Sequence, residues 1–318
     1  MVSSPEGSRP VRWSGPSLDF RCADRDPSLA VRQSTPGQNW TVSALALHAA
    51  LAEALRGVRR SDGAFPVSLD GPAEVEPTAI AALALDDSRA RAWLATHLRT
   101  DGGFDERDGR ADGPTSSALA ALALADRRAA RRALGYAIAH RGLPLPNARD
   151  PEKREGWGWT NDARSLTEPT ARVLLAVNAL TPDDGDTRHE AVGLLTARQC
   201  ADGGWNFGNA SVYDVDLRGY VQTTAIGLIA LQRGDPKVVA RAFDFLRNQW
   251  RLEPGGLTVA QSLVAFRLHG LDDEVPELVD GLATIARRPS FREKPLAVAW
   301  AVLATGPDRL LDPLRSRA

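Results

Sequence analysis

Arg198–Phe207 reads RQCADGGWNF, and Val221–Gln232, one loop further on, reads VQTTAIGLIALQ. A turn made of Asp-Gly and an aromatic residue is followed by a polar loop, then by Thr-Ala and a run of Ala and Leu, and this order recurs along the chain. The turns are SDGAF at Ser61–Phe65, TDGGF at Thr100–Phe104, EGWGW at Glu155–Trp159, ADGGW at Ala201–Trp205 and EPGGL at Glu253–Leu257. The runs that follow are expected to start at Thr78, Thr115, Thr170, Thr224 and Thr258, which are 37, 55, 54 and 34 residues apart. The period is therefore irregular, about 45 residues on average. Gly63, Gly103 and Gly204 are expected to take the left-handed backbone that a tight turn demands. The aromatic after them packs between helices, so Gln199, Asp202 and Trp205 read as ties between repeats.

The runs TAIAALAL, TSSALAALALA, TARVLLAVNAL, TTAIGLIALQ and TVAQSLVAF are apolar almost all round. A helix tolerates that only when it is buried on every side, so these form an inner layer. Between them, Ser88–Arg99 with Trp93, Leu94, His97 and Leu98, and Val238–Trp250 with Val239, Ala242, Phe243, Leu246 and Trp250, carry apolar residues at spacings of three and four against arginines, the pattern of an outer layer. Thr41–Gly57 adds an outer helix at the start and Pro295–Ala304 an inner one at the end. The reading is an all-α fold of about six helical hairpins, without the strand runs that a parallel α/β sheet needs. Periodicity leaves open whether the hairpins form an open solenoid or a closed ring.

The 318 residues are 43% hydrophobic and 25% charged, enough for a substantial core and too apolar for a disordered chain. Residues 1–40 carry five prolines without apolar periodicity and read as an irregular arm, leaving 41–318 as the helical domain. A net charge of -1 gives no general attraction to nucleic acid or anionic membrane. Cys22 and Cys200 stand alone, with neither disulfide framework nor cysteine zinc spacing, which suits a reducing, cytoplasmic setting. The charged N-terminus lacks a signal-peptide core, and no apolar run approaches the length of a transmembrane segment.

The turn at Arg198–Phe207 and the helix after it are similar to the repeat of the squalene cyclase and protein-prenyltransferase β-subunit superfamily, whose turns run Q-x-x-D-G-x-W. Bacterial prenyltransferase and squalene-oxidase repeat proteins share the GW-x-W of Gly156–Trp159, the E-P-T-A of Glu168–Ala171 and the DGGWNFGN of Asp202–Asn209. The resemblance spans roughly Thr41 to Thr305. It implies a closed α/α toroid, a single barrel whose inner helices line an apolar cavity, and a terpene cyclase-like or prenyl-transfer-related activity on an isoprenoid or other apolar substrate.

In such a barrel every inner helix starts at the same end, which places Glu76 and Glu168, each followed by Pro-Thr-Ala, on a common rim with Gln222. One reading is helix capping, with proline as first helical residue and the acid favoured by the helix dipole. The other is catalytic: the cyclases' acid motif D-x-D-D-T-A, laid on Glu74-Val75-Glu76-Pro77-Thr78-Ala79, keeps the length and Thr-Ala. It puts glutamate for the first two aspartates and proline for the third, removing a partner of the acid. Asp214 and Asp216 fall on one side of an extended segment by period two, so Asp216 is a third candidate acid, alternatively paired with Arg218. Glu74, Trp157, Trp159, Arg218, Tyr220 and Gln222 are the candidate substrate-binding residues. Arg59, Arg60 and Arg251 are weaker candidates for diphosphate contacts.

The prenyltransferase zinc set would need a cysteine where Gly204 stands and a histidine where Gln222 stands; Asp202 alone matches, so no metal and no cofactor are expected. There is no G-x-S-x-G elbow and no phosphate-binding loop. Two functions remain: an isoprenoid cyclase or transferase using Glu76, Glu168 and Asp216, or a barrel that binds an isoprenoid, a lipid or a partner protein without chemistry. The low aromatic content, 6%, weakens the first, since cyclases line their cavities with aromatic faces to stabilise cations.

Overall fold

Helices apolar on every face require neighbours on every face, and in the computed structural model they find them. The structure describes residues 42–104, 113–145, 154–181 and 183–317; the expected arm and Cys22 lie outside the described residues. In chain order the elements are α1 (Val42–Gly57), α2 (Val75–Leu85), α3 (Ser88–His97), α4 (Pro114–Ala123), α5 (Arg127–Ala139), α6 (Thr167–Leu180) and α7 (Gly185–Ala197). A small hairpin, β1 (Ser211–Val212) and β2 (Val215–Asp216), precedes α8 (Val221–Ala230), α9 (Pro236–Gln249) and α10 (Gly256–Leu268). The chain ends with α11 (Val275–Ala286), α12 (Pro289–Arg292) and α13 (Pro295–Thr305). The fold is all-α apart from that hairpin, and no described helix is long and apolar enough to cross a membrane.

The inner helices are α2, α4, α6, α8, α10 and α13. Each packs on the next, and α13 packs on α2. All residues of α6 from Thr167 to Asn178 are buried, and so are those of α8 from Thr223 to Ala230. Helices α3, α5, α7, α9 and α11 each cover the inner helix before them, while α1 covers α13. Their buried residues follow one stripe, as with Ala130, Ala133, Leu134 and Ala137 of α5.

The two layers start by different means. Outer helices α3, α5, α7 and α9 begin at an aspartate whose carboxylate accepts from first-turn amides: Asp87 from Arg89 and Ala90, Asp126 from Ala129, Asp184 from Thr187, Asp235 from Lys237 and Val238. None of the inner helices has a side-chain cap. They also begin earlier than Thr-Ala implies, so Thr78, Thr170 and Thr224 are fourth residues of their helices, and Pro77 and Pro169 are third, not first. The threonines have a different task. Thr78, Thr170 and Thr224 accept the backbone N–H of the turn aromatics Phe65, Trp157 and Trp205 at 2.9, 3.1 and 2.9 Å. Each turn is thereby stitched to its own inner helix. Thr170→Val or Thr224→Val keeps the shape and leaves a buried amide without an acceptor, an expected loss of about 1–3 kcal/mol in urea unfolding. Stability within roughly 0.3 kcal/mol of wild type would mean that the hydroxyl does not hold the turn.

The turn glycines need one correction. Left-handed backbone occurs at Gly63, Gly102 and Gly203, with φ of 98°, 99° and 94°, and not at Gly103 or Gly204. The aspartate before each accepts from the amide two residues on, as Asp101 does from Gly103 at 2.9 Å and Asp202 from Gly204 at 3.0 Å. A side chain on the first glycine would also run into the backbone carbonyl of the next outer helix, at Arg89, Arg132 or Arg241. Gln199 completes the tie by donating to Gly203 O and Val238 O at 2.8 and 2.9 Å. Trp205 and Trp157 each donate an indole N–H to an outer-helix carbonyl, Leu195 O and Ala137 O, both at 2.7 Å.

Two histidines sit where helices of the inner layer meet their neighbours. His48 of α1 is 3.2 Å from Val302 O of α13, and His269, after α10, is 2.8 Å from Leu228 O of α8. Burial holds both imidazoles below the ordinary value of 6.5, against the carbonyl bond that favours the cation; Arg56, Arg267 and Arg309 lower His48 further. The unfolded chain therefore binds more protons than the folded one as pH falls below 6.5, so this stabilisation is complete above that value and declines beneath it. The melting temperature is expected to be flat above neutrality and to fall between pH 6.5 and about 5, less steeply in His48→Gln/His269→Gln. A slope unchanged in that variant would assign the acid sensitivity to other groups.

Candidate functional site at the inner-helix starts

Glu76 and Glu168 are second residues of α2 and α6, and α4 lies between these helices, touching both. They nevertheless meet at one side chain. Arg172, one turn into α6, places Nη2 2.6 Å from Glu76 Oε1 and 2.7 Å from Glu168 Oε1. Glu76 and Arg172 thus reach each other past α4. Arg172 and Glu168 have side chains 7% and 6% exposed, whereas Glu76 is 23% exposed and forms the outer edge. Trp159 caps the group, its ring centroid 5.0 Å from the guanidinium carbon and its other parts in solvent.

Burial alone would weaken the charge on Arg172. The fields of Glu76 and Glu168, with the hydrogen bonds to them, outweigh it and hold the guanidinium above its ordinary pKa. Two carboxylates against one guanidinium leave a formal charge of -1 at this end. Neither glutamate caps its helix. Each is a counter-ion, and protonating either would leave a buried cation short of compensation.

The remaining candidates are more dispersed. Glu74 is the exposed residue preceding α2 and makes no side-chain cap. Trp157 is fully buried, bonded to Ala137 and covered by Arg141, making it the counterpart of Trp205. Tyr213 and Asp214 adopt φ of 48° and 62°, the turn of the β1–β2 hairpin, so Asp214 and Asp216 do not share one side of an extended segment. Asp216 lies on β2, exposed and remote in sequence from the Arg172 group. Arg218 pairs with Glu253 at 3.6 Å and lies over Tyr220, whose ring contacts Phe207 at 5.2 Å between centroids. Gln222 is the second residue of α8, the position Glu76 and Glu168 hold on their helices. Arg59 and Arg251 are engaged with Asp87 and Glu277 on the outside.

Sequence reasoning missed Arg172. Its signal was present: an arginine inside an otherwise apolar inner run, four residues after Glu168, the spacing that brings helix side chains together. It also missed Arg198, 1% exposed, whose guanidinium donates to Leu145 O, Gly208 O and Asn209 Oδ1 at 2.6, 2.7 and 2.8 Å. That side chain holds together the loops leading into α6 and α8.

No family model matches the chain, and no curated protein matches it. Among solved structures, the chain is similar to a protein from Actinoplanes, with a TM-score of 0.50 and 15% identity over 76% of this chain and 81% of that one. At that identity the likeness concerns the fold alone.

Proposed function

We propose that the chain is an α/α toroid of the squalene cyclase and prenyltransferase-repeat type that binds an apolar, isoprenoid-like ligand at the end where the inner helices start, without protonating it. The observation that carries this reading is Arg172, buried between Glu76 and Glu168. An acid able to protonate an alkene must hold its proton without a cation beside it, and here both candidate acids compensate a cation. The circular order of helix contacts supports the toroid. Apolar side chains exposed in the loops before inner helices support the binding role: Leu69 before α2, Trp159 before α6, Phe207 and Val215 before α8, Leu252 before α10.

Incubation with farnesyl diphosphate, geranylgeranyl diphosphate, squalene and polyprenols is expected to give retention of a ligand without turnover. Glu76→Gln and Glu168→Gln should change stability more than retention. Product formed by wild type and lost in either variant would restore the catalytic reading.

A further inference from the structure

Val212–Arg218, most of the β1–β2 hairpin and the residues just after it, form a run of seven consecutive exposed residues. Val212 pairs with Val215, so the turn between the strands is the two residues Tyr213 and Asp214. Both have left-handed backbone, with φ of 48° and 62°, a conformation that Asn-Gly takes at little cost and a bulky tyrosine does not. Tyr213 is held there 96% exposed, so local strain is accepted to carry an aromatic ring away from the rest of the chain. Val212, Val215 and Leu217 beside it are also exposed. Leu252 is exposed on the neighbouring loop, which the Arg218–Glu253 ion pair and the bond from Val221 N to Glu253 Oε2 join to this one.

The same run carries charges of both signs. Asp214 has no hydrogen bond or ion pair among the described residues. The Arg218 side chain, 70% exposed and lying over the Tyr220 ring, has Glu253 at 3.6 Å, beyond hydrogen-bond length. Asp214 and Asp216 disfavour an anionic lipid or a nucleic acid as the covering surface. A segment with an acid near one end, a base at the other and apolar residues between them is instead complementary to itself under two-fold rotation, which sets residue i against j and j against i. Its extent also suits a dimer: Val212–Arg218 and Leu252 together offer on the order of 800 Å2, the share each partner gives to an interface of standard size. We propose that two copies of the chain associate through this hairpin across a two-fold axis, Tyr213, Val215 and Leu217 meeting their counterparts while Asp214 of each copy pairs with Arg218 of the other. The association is separate from ligand binding, for which Leu69, Trp159 and Phe207 remain.

The test is sedimentation equilibrium of the full chain at up to about 100 μM, with thermal melts to establish that each variant is folded. Wild type is expected to be dimeric. Tyr213→Asn suits the turn better and removes the central aromatic, so it should weaken the dimer at least about 10-fold without lowering the melting temperature measured at low concentration. Asp214→Arg and Arg218→Asp set like charges against each other across the axis and should each be monomeric. An equimolar mixture of the two should form a dimer again, because both cross-pairs are then of opposite sign. Wild type that stays monomeric at the highest concentration, a dimer equally tight in Tyr213→Asn, or charge-reversed variants that self-associate as readily as they mix would overturn the proposal. A monomer that binds phosphatidylcholine vesicles through Tyr213 would overturn it in favour of a lipid surface.

Discussion

Arg172→Met is expected to destabilise the protein by about 3–5 kcal/mol, because it leaves two carboxylates facing one another with their shared cation removed. In a chain of this length that corresponds to a fall in melting temperature of about 5–7 °C. The loss should be a property of the unpaired charges more than of the missing side chain. Glu76→Gln/Glu168→Gln/Arg172→Met removes all three charges at nearly constant volume and is therefore expected to melt closer to wild type than Arg172→Met alone. Differential scanning calorimetry of the two variants separates the explanations. A triple variant as unstable as the single one would mean that Arg172 matters for packing against Trp159 and its own helix, and the counter-ion account of the glutamates would fall with it.

Trp205→Ala is expected to cost a similar amount, about 3–5 kcal/mol, for a different reason. The indole is fully buried, its N–H donates to Leu195 O, and it lies against Gly227, where an added Cβ would stand 3.2 Å from the ring. Removing it opens a cavity at the junction of α7 and α8 and takes one of two donors from the Leu195 carbonyl, which keeps the Arg198 N–H. Trp205→Phe should recover part of the volume and none of the hydrogen bond, giving an intermediate loss. Phe207→Ala, two residues on but 61% exposed, serves as the control and should stay within about 0.5 kcal/mol. Urea unfolding of the three variants gives the order; equal losses for Trp205→Ala and Phe207→Ala would deny the turn aromatic its part in joining repeats.

The inner helices were legible because burial on all sides imposes an unmistakable composition. TTAIGLIAL and PLAVAWAVLA cannot face water, and the structure buries both runs almost completely. The turns were legible through Asp-Gly and the aromatic, but their internal register was not. Either glycine of TDGGF satisfies a turn, and what selects Gly102 is the carbonyl of Arg132 on the next outer helix. The same limit applies to the helix starts: Thr-Ala marked them three residues late because the threonine serves the turn, a bond between segments thirteen or more residues apart. The aspartates that start the outer helices, in LDDS, ADRR and GDPK, went unread, although such a cap is local and needs no partner from elsewhere.

The sequence by itself determined an all-helical chain of two layers, the spacing of its turns and the placing of Glu76 and Glu168 in equivalent positions. These follow from local chemistry: hydrophobic period, turn residues and helix direction. Only the tertiary structure decided what those glutamates meet. Arg172 lies four residues from Glu168 but 96 from Glu76 in sequence, and no periodic pattern relates a residue to one on a helix two places away. That meeting exists only once α2 and α6 are packed on either side of α4, because an ion pair between distant segments is a property of the neighbours a side chain acquires.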